Sequence, residues 1–411
     1  MTPAPNHIGE LAKARGIREC LQWFTREKQW ISERHLELCR IPAPTFLEEK
    51  RAAWMAEQFR SIGYSPRIDS AGNVVALIED DASQPLIAVT AHLDTVLAPR
   101  RPEDIFVDSD GRFCGPGVSD NGAGLAGVLA VACAVKLYEA ARGAEAGIAF
   151  VANTCEEGEG NLSGMRYLAR QPEMVSRVRA YLVLDGPSLD HITWRALASR
   201  RFEISFTGAG GHSWTDYGNA NPVHALSAAI AQFSADPSPA GCNDGTSPRC
   251  AFNFGIVEGG TSINSIPVSA RAKLDLRSED SARIDSMVEA LTAAVDRARD
   301  LENRRATGSK LTARVKEIGS RPAGRLPADS ELLRHIRAVD AYLGIRSRLD
   351  CASTDANIPL SMGVPAIAIG AGGQGGGAHT PAEWYHPEGR DLGLKRILLT
   401  LALLMHSQWK S

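Results

Sequence analysis

None of the chain's eight cysteines falls in a C-x-x-C pair. Cys20, Cys39, Cys114, Cys133, Cys155, Cys242, Cys250 and Cys351 are scattered among mostly apolar neighbours, so reduced, largely structural thiols are expected. The chain also lacks a Lys/Arg block and a basic stripe, and its formal net charge is only −3. Nucleic-acid backbones and anionic membrane surfaces are therefore poor partners. No uninterrupted apolar run reaches membrane-spanning length. The opening residues, Met1 to Glu10, lack the charged-then-apolar order of a signal peptide. A soluble cytoplasmic protein is the expectation. Repeats and low-complexity tracts are absent as well.

What the chain does have is length: 411 residues, beyond the usual limit of one core, which favours two or three domains. Residues 17–63 read as helical, with Leu21, Phe24, Trp30, Leu36 and Leu38 among charges and a break at Pro42 and Pro44. Thr45 with Glu48 has the spacing of a capping box. Short apolar runs at 74–78, 86–90, 148–154 and 181–184 flank a helical stretch at 122–139, an alternation expected of an α/β sheet covered by helices. From Arg201 the pattern changes to alternating strands at 202–207, 251–257 and 270–276, with helices at 222–233 and 281–305. Two helices among four antiparallel strands, the last at 311–318, predict a separate α+β domain. The α/β style then resumes with a helix at 330–342, a strand at 365–369 and a closing helix at 391–409.

The richest chemistry lies at strand ends, where α/β proteins place their sites. The apolar run before Cys155 delivers two adjacent carboxylates, Glu156 and Glu157. Neighbouring side chains on an extended strand point to opposite sides, which suits one metal ligand beside one proton carrier, although a solvated acidic pair would look the same. His92 and Asp94 lie two residues apart at another strand end, and a carboxylate there can fix the tautomer of a ligating imidazole. Asp120 stands in a glycine-rich turn before a small-residue helix. N-capping alone would explain it, while the flanking glycines also leave room for a bridging carboxylate. Asp185 ends a further apolar strand, and His379 sits in a glycine loop. Two histidines and three carboxylates suit a dinuclear site for zinc, manganese or cobalt, which leaves Glu156 as general base towards a metal-bridging water. Two glycine patterns, at 122–127 and 370–375, fit a dinucleotide fold poorly: the first follows polar turn residues instead of a strand, and the second leads into no helix.

His92-Leu-Asp94, Gly117-Val-Ser-Asp120-Asn-Gly-Ala-Gly124, Glu156-Glu157-Gly158, Asp185-Gly186, Gly211-His212-Ser213 and His379-Thr-Pro381 occur in one order along nearly the whole chain. In that order the chain resembles the dinuclear-zinc family of peptidase T, carboxypeptidase G, acetylornithine deacetylase and succinyl-diaminopimelate desuccinylase. The details around His212, Cys351 and His379 look closest to the peptidase T-like branch. The resemblance implies a zinc-exopeptidase-like catalytic domain, helices on both faces of a mixed sheet, in two parts at 1–198 and 319–411. A ferredoxin-like lid and dimerisation domain is implied at 199–318. Two divalent ions, zinc by preference, are implied per chain, with Asp120 bridging, Glu157 and His379 completing one site, and His92 and Asp185 the other. Asp94 would orient His92, and Glu156 would be the base. His212 would stabilise the tetrahedral intermediate, often in a neighbouring subunit's site, and Asn264 and Arg277 would meet substrate. By itself His212 reads as a turn histidine, and Arg277 reads equally as a bidentate fork for a carboxylate or as a structural salt-bridge partner.

The expected activity is hydrolysis of an amide bond in a small peptide by a metal-bridged hydroxide in a homodimer. Deacylation of an N-acyl amino acid is the alternative. A non-catalytic metal-binding scaffold fits less well, because it would have no use for Glu156.

Overall fold

The computed structural model describes residues 5–240 and 249–407; Cys242, and Trp409 in the expected closing helix, lie outside them. The chain forms two compact units, one of residues up to 196 together with those from 324 onward, the other of residues 197–323.

The larger unit is built on a nine-stranded mixed sheet. Its strands run in the order Arg67–Ile68, Val74–Ile78, Gly147–Asn153, Leu86–His92, Val178–Leu184, Ala366–Ile369, His191–Ala196 and Gly324–Arg325, with Arg348–Ala352 paired beside His191–Ala196. Four neighbours in the middle, starting at Gly147, Leu86, Val178 and Ala366, are mutually parallel. Every residue of Leu86–His92 and Gly147–Asn153 is buried, as expected of parallel strands covered on both faces. Parallel pairing has a direct consequence for function: the carboxyl ends of these strands open on one edge, and the segments that leave them share one neighbourhood.

The helical stretch expected at 17–63 is three helices, Arg15–Arg26, Lys28–Cys39 and Glu49–Ser61. The capping box at Thr45 and Glu48 does not form. Glu48 occupies the N-cap position without a side-chain cap bond, because both side chains have buried partners elsewhere. The Thr45 hydroxyl donates to Asp94 at 2.9 Å, and Glu48 accepts the Cys155 N–H at 3.0 Å. The strands His191–Ala196 and Arg348–Ala352 were not anticipated, since Arg195, Arg348 and Asp350 interrupt any apolar pattern there. Also unforeseen is a small antiparallel sheet of Gln374–Gly376, Trp384–His386, Phe113–Cys114 and Phe106–Val107. Its pairs Trp384 with Cys114 and Tyr385 with Phe113 tie the segment after His379 to the segment before Asp120.

The smaller unit has a four-stranded antiparallel sheet in the order Cys250–Gly259, Ser269–Ser278, Ala198–Thr207 and Thr312–Arg321. The helices Pro222–Ser234 and Ser281–Arg305 complete a strand–helix–strand–strand–helix–strand succession, the split βαβ arrangement of ferredoxin-like folds. Phe202, Ile204, Phe206, Phe233, Leu274 and Leu291 are among its buried core. Cys250 is disulfide-bonded, against the expectation of reduced thiols; a scan for C-x-x-C spacing is blind to bridges between more distant cysteines. The other six described cysteines are free. Among the described residues no helix is long and apolar enough to cross a membrane.

In the larger unit the helices Glu331–Leu343 and Arg390–Met405 are joined by a buried fork: Arg396 donates from Nε and Nη2 to the two oxygens of Asp340 at 2.6 and 2.7 Å. Arg396 is fully buried. Removing one partner of a buried pair strands the other charge, at a cost of about 3–5 kcal/mol. Asp340→Asn is therefore expected to lower stability by that order in a denaturant titration, and a midpoint unchanged from the parent would contradict the assignment.

Candidate metal centre

Three adjacent parallel strands bring the first functional groups together. His92 is the last residue of Leu86–His92, the central one of the three. Asp185 directly follows Val178–Leu184, and Glu156 and Glu157 follow Gly147–Asn153 after Cys155 turns the backbone at φ 56°. Asp120 arrives in front of the helix Gly122–Leu137. The helix cap is not Asp120 but Asn121, whose side-chain oxygen accepts the Gly124 N–H at 3.1 Å. Gly124 has to be glycine for packing, since a Cβ there would lie 2.6 Å from the Leu184 carbonyl.

Relieved of capping, the Asp120 carboxylate turns one oxygen to each of two imidazoles. Its Oδ1 lies 3.1 Å from His92 Nε2 and its Oδ2 lies 3.0 Å from His379 Nε2. His379 Nε2 is also 2.8 Å from Glu157 Oε1. Two triads of ligand atoms, each within 4.8 Å, share Asp120: His92, Asp120 and Asp185, and Asp120, Glu157 and His379. A third triad, His92, Glu156 and Glu157, places the Glu156 carboxylate beside both.

The electrostatics match a cation site. Burial, with Asp120 and Glu157 adding to it, pushes the Asp185 carboxyl up to about 7. Hydrogen bonds to Asp120 and Glu157 raise His379 to about 10. Burial disfavours a charged His92, yet Asp120, Asp94 and Glu156 together hold its pKa above the ordinary imidazole range. Several carboxylates crowded into one low-dielectric pocket repel one another, and a divalent cation relieves that repulsion. Two imidazoles and three carboxylates are a donor set that zinc, manganese and cobalt accept.

The supporting bonds were largely invisible in the sequence. Asp94 is fully buried and accepts the backbone N–H groups of Glu156 and Glu157, each at 2.9 Å, on its two oxygens. His92 Nδ1 lies 2.9 Å from the Asp94 backbone carbonyl and 3.5 Å from Asp94 Oδ1. Asn121 donates to the Leu184 carbonyl at 2.8 Å and accepts the Gly186 N–H at 3.2 Å, bracketing Asp185. Glu383 accepts the amides of Gly117, Ser119 and Asp120, all at 2.8 Å. His35 stays neutral, pushed down to about 3 mainly by burial, and its Nε2 is 2.7 Å from the Val118 carbonyl. Arg51 donates to the Leu93 carbonyl at 2.7 Å. An asparagine just ahead of a small-residue helix is a readable cap signal. Glu383, in an ordinary polar turn, has no local signal of its own.

The remaining sequence candidates lie in the smaller unit. His212 and Asn264 are brought side by side: His212 pairs with Ser265, and the Ser213 N–H donates to the Asn264 carbonyl at 3.0 Å. His212 Nδ1 accepts the N–H groups of Trp214 at 3.2 Å and Thr215 at 3.4 Å. With Nδ1 accepting, a neutral ring carries its proton on Nε2. Arg277 donates from Nε to Asp275 at 2.7 Å, the ion pair foreseen as one of its two readings.

The sequence profile of peptidase family M20/M25/M40 matches residues 88–402, and the chain belongs to that family. It is a hydrolase that acts on amide bonds. No curated protein matches it by sequence. Among solved structures it is similar to a tripeptidase from Staphylococcus aureus, with 20% identity and a TM-score of 0.74 over 92% of this chain and 99% of that one. A dipeptidase, Dug1p, from Saccharomyces cerevisiae shares 15% identity at a TM-score of 0.70 over 99% and 100%. An amidase of the hydantoinase/carbamoylase family from Burkholderia vietnamiensis shares 17% at 0.67 over 93% and 98%.

Each buried amide left without an acceptor costs about 1–3 kcal/mol. Asp94→Ala orphans the amides of both Glu156 and Glu157, so chelator-treated protein carrying it should lose at least that much stability in a denaturant titration. Parent-like stability would show that Asp94 does not hold this turn.

Proposed function

We propose that the chain is a dinuclear metallopeptidase that removes a residue from a di- or tripeptide. The observation that carries this reading is the carboxylate of Asp120, whose two oxygens face two different imidazoles. One ion would be held by His92, Asp185 and one oxygen of Asp120, the other by Glu157, His379 and the second oxygen. When bound, two divalent ions, zinc by preference, supply Lewis acidity towards the scissile carbonyl and acidify the attacking water.

Glu156 is the group left for proton transfer. It takes the proton of the attacking water and returns it to the leaving nitrogen as the C–N bond breaks, a role that needs a carboxylate within hydrogen-bond reach of the reacting atoms. Asp94 fixes the backbone that presents Glu156 and Glu157, so the base and a ligand are set by one clasp. His212 offers its Nε2–H to the developing oxyanion, where a donor that strengthens only as charge forms raises turnover. The smaller unit serves as a lid and dimerisation domain, and His212 acts in the site of the neighbouring subunit. Asn264 beside it meets the substrate, and the guanidinium of Arg277 meets a substrate carboxylate. The peptidases that share the fold favour a peptide substrate, and the amidase keeps an N-acyl amino acid as the second reading.

A panel of dipeptides, tripeptides and N-acyl amino acids offered to metal-reconstituted protein separates the readings: turnover of peptides is expected, and turnover of N-acyl amino acids alone would replace the first reading by the second. Glu156→Gln should lower turnover by about a hundredfold or more while metal content stays at the parent value; near-parental turnover would remove Glu156 from the base role. Asp120→Ala should lower the metal content from two equivalents, and unchanged stoichiometry would remove the bridge. Co-assembled Glu156→Gln and His212→Ala chains should recover activity if His212 works across the dimer. Verified heterodimers without recovery would confine His212 to its own chain or to no role.

A further inference from the structure

Glu383 carries no part in the reading above, yet its surroundings are those of a bound anion. It is 3% exposed. Its Oε2 accepts the Gly117 N–H and its Oε1 accepts those of Ser119 and Asp120, all at 2.8 Å. Successive amides converging on one carboxylate form a nest of the kind that binds anions. No lysine or arginine pairs with this carboxylate among the described residues. Its main chain is fixed too: the Gly115 N–H donates to the Glu383 carbonyl at 3.0 Å, and the next two residues pair with Cys114 and Phe113. His379 lies four residues upstream on the same segment, and Asp120 supplies one of the three donors. Glu383 therefore joins the turn bearing one imidazole to the turn bearing the carboxylate that this imidazole faces.

We propose that Glu383 is a positioning residue that sets His379 against Asp120 and thereby the affinity for the ion those two share with Glu157. The proposal rests on the two-ion reading. Three amide donors on two oxygens suit a carboxylate, which when ionised offers acceptors only. A glutamine would turn its NH₂ group against at least one amide donor, and an aspartate is one methylene too short to reach all three. Loss of a residue that orients metal ligands lowers metal affinity by about tenfold to a hundredfold.

The test is a cobalt titration of metal-free protein, followed by the visible absorption of the bound ion and by equilibrium dialysis, with the melting temperature of each metal-free variant recorded alongside. Parent protein should take up two equivalents. Glu383→Gln should bind one of them about tenfold to a hundredfold more weakly, and Glu383→Asp should fall between the two. Asp340→Asn serves as the comparison for general destabilisation: it should melt lower and still bind both equivalents like the parent. Two equivalents bound by Glu383→Gln with parental affinity would overturn the proposal. So would the same weakening in Asp340→Asn, which would make the effect one of stability. If Glu383→Gln does not fold, Glu383→Asp decides by the same criterion. Failure of the parent itself to bind a second equivalent would instead overturn the two-ion reading, and this inference with it.

Discussion

The constraint on which the site depends is the satisfaction of buried backbone amides by buried side chains. Each segment that carries a candidate ligand is tied to another by one such clasp. Asp94, two residues after His92, holds the amides of Glu156 and Glu157. Asn121, next to Asp120, holds the backbone on both sides of Asp185. Glu383, four residues after His379, holds the amide of Asp120. Buried N–H groups without partners are costly, so this pattern of bonds leaves the loops little freedom to separate. The parallel strands bring His92, Glu157 and Asp185 to one edge of the sheet, and two loops bring Asp120 and His379 to them. The clasps then fix distances near 3 Å between groups that come from four different loops.

That arrangement concentrates negative charge. Asp120, Glu156, Glu157 and Asp185 share one pocket with two imidazoles, and Asp94 and Glu383 add two buried carboxylates just behind them. Asp185 responds by holding its proton up to about 7, the behaviour of a carboxyl among like charges in a low dielectric. The clasping carboxylates are held by other partners: Asp94 by His92 and two amide donors, Glu383 by three amide donors. The division is economical in physical terms. Amide donors help to stabilise the carboxylates behind the site, and the carboxylates in front crowd round the space that a divalent ion would take.

Much of this was legible from the chain alone, and for a common reason. Apolar runs that end in Asp, Glu or His announce strand ends, and Leu86–His92, Gly147–Asn153 and Val178–Leu184 emerged within a few residues of where the apolar patterning placed them. The helix Ser281–Arg305 emerged with the predicted bounds. The order of six short motifs pointed to the family that the profile match over residues 88–402 shows. What escaped was set by tertiary competition. Thr45 and Glu48 have capping-box spacing, but buried partners at Asp94 and Cys155 claim both side chains. His191–Ala196 pairs into the sheet despite its charged residues because neighbouring strands supply the partners. Glu383 looks like any turn carboxylate until the pairing of Trp384 with Cys114 brings it under the Asp120 loop. The Cys250 disulfide escaped because spacing rules examine only close pairs.

The central claim, that one carboxylate joins two ions held by a strand-end histidine and a loop histidine, is tested most directly by anomalous diffraction from crystals grown with zinc. The account predicts two peaks per chain, roughly 3.5–4 Å apart as in other paired-metal sites, one between His92, Asp185 and Asp120 and the other between His379, Glu157 and Asp120. A single peak, or two peaks with Asp120 touching only one of them, would contradict it.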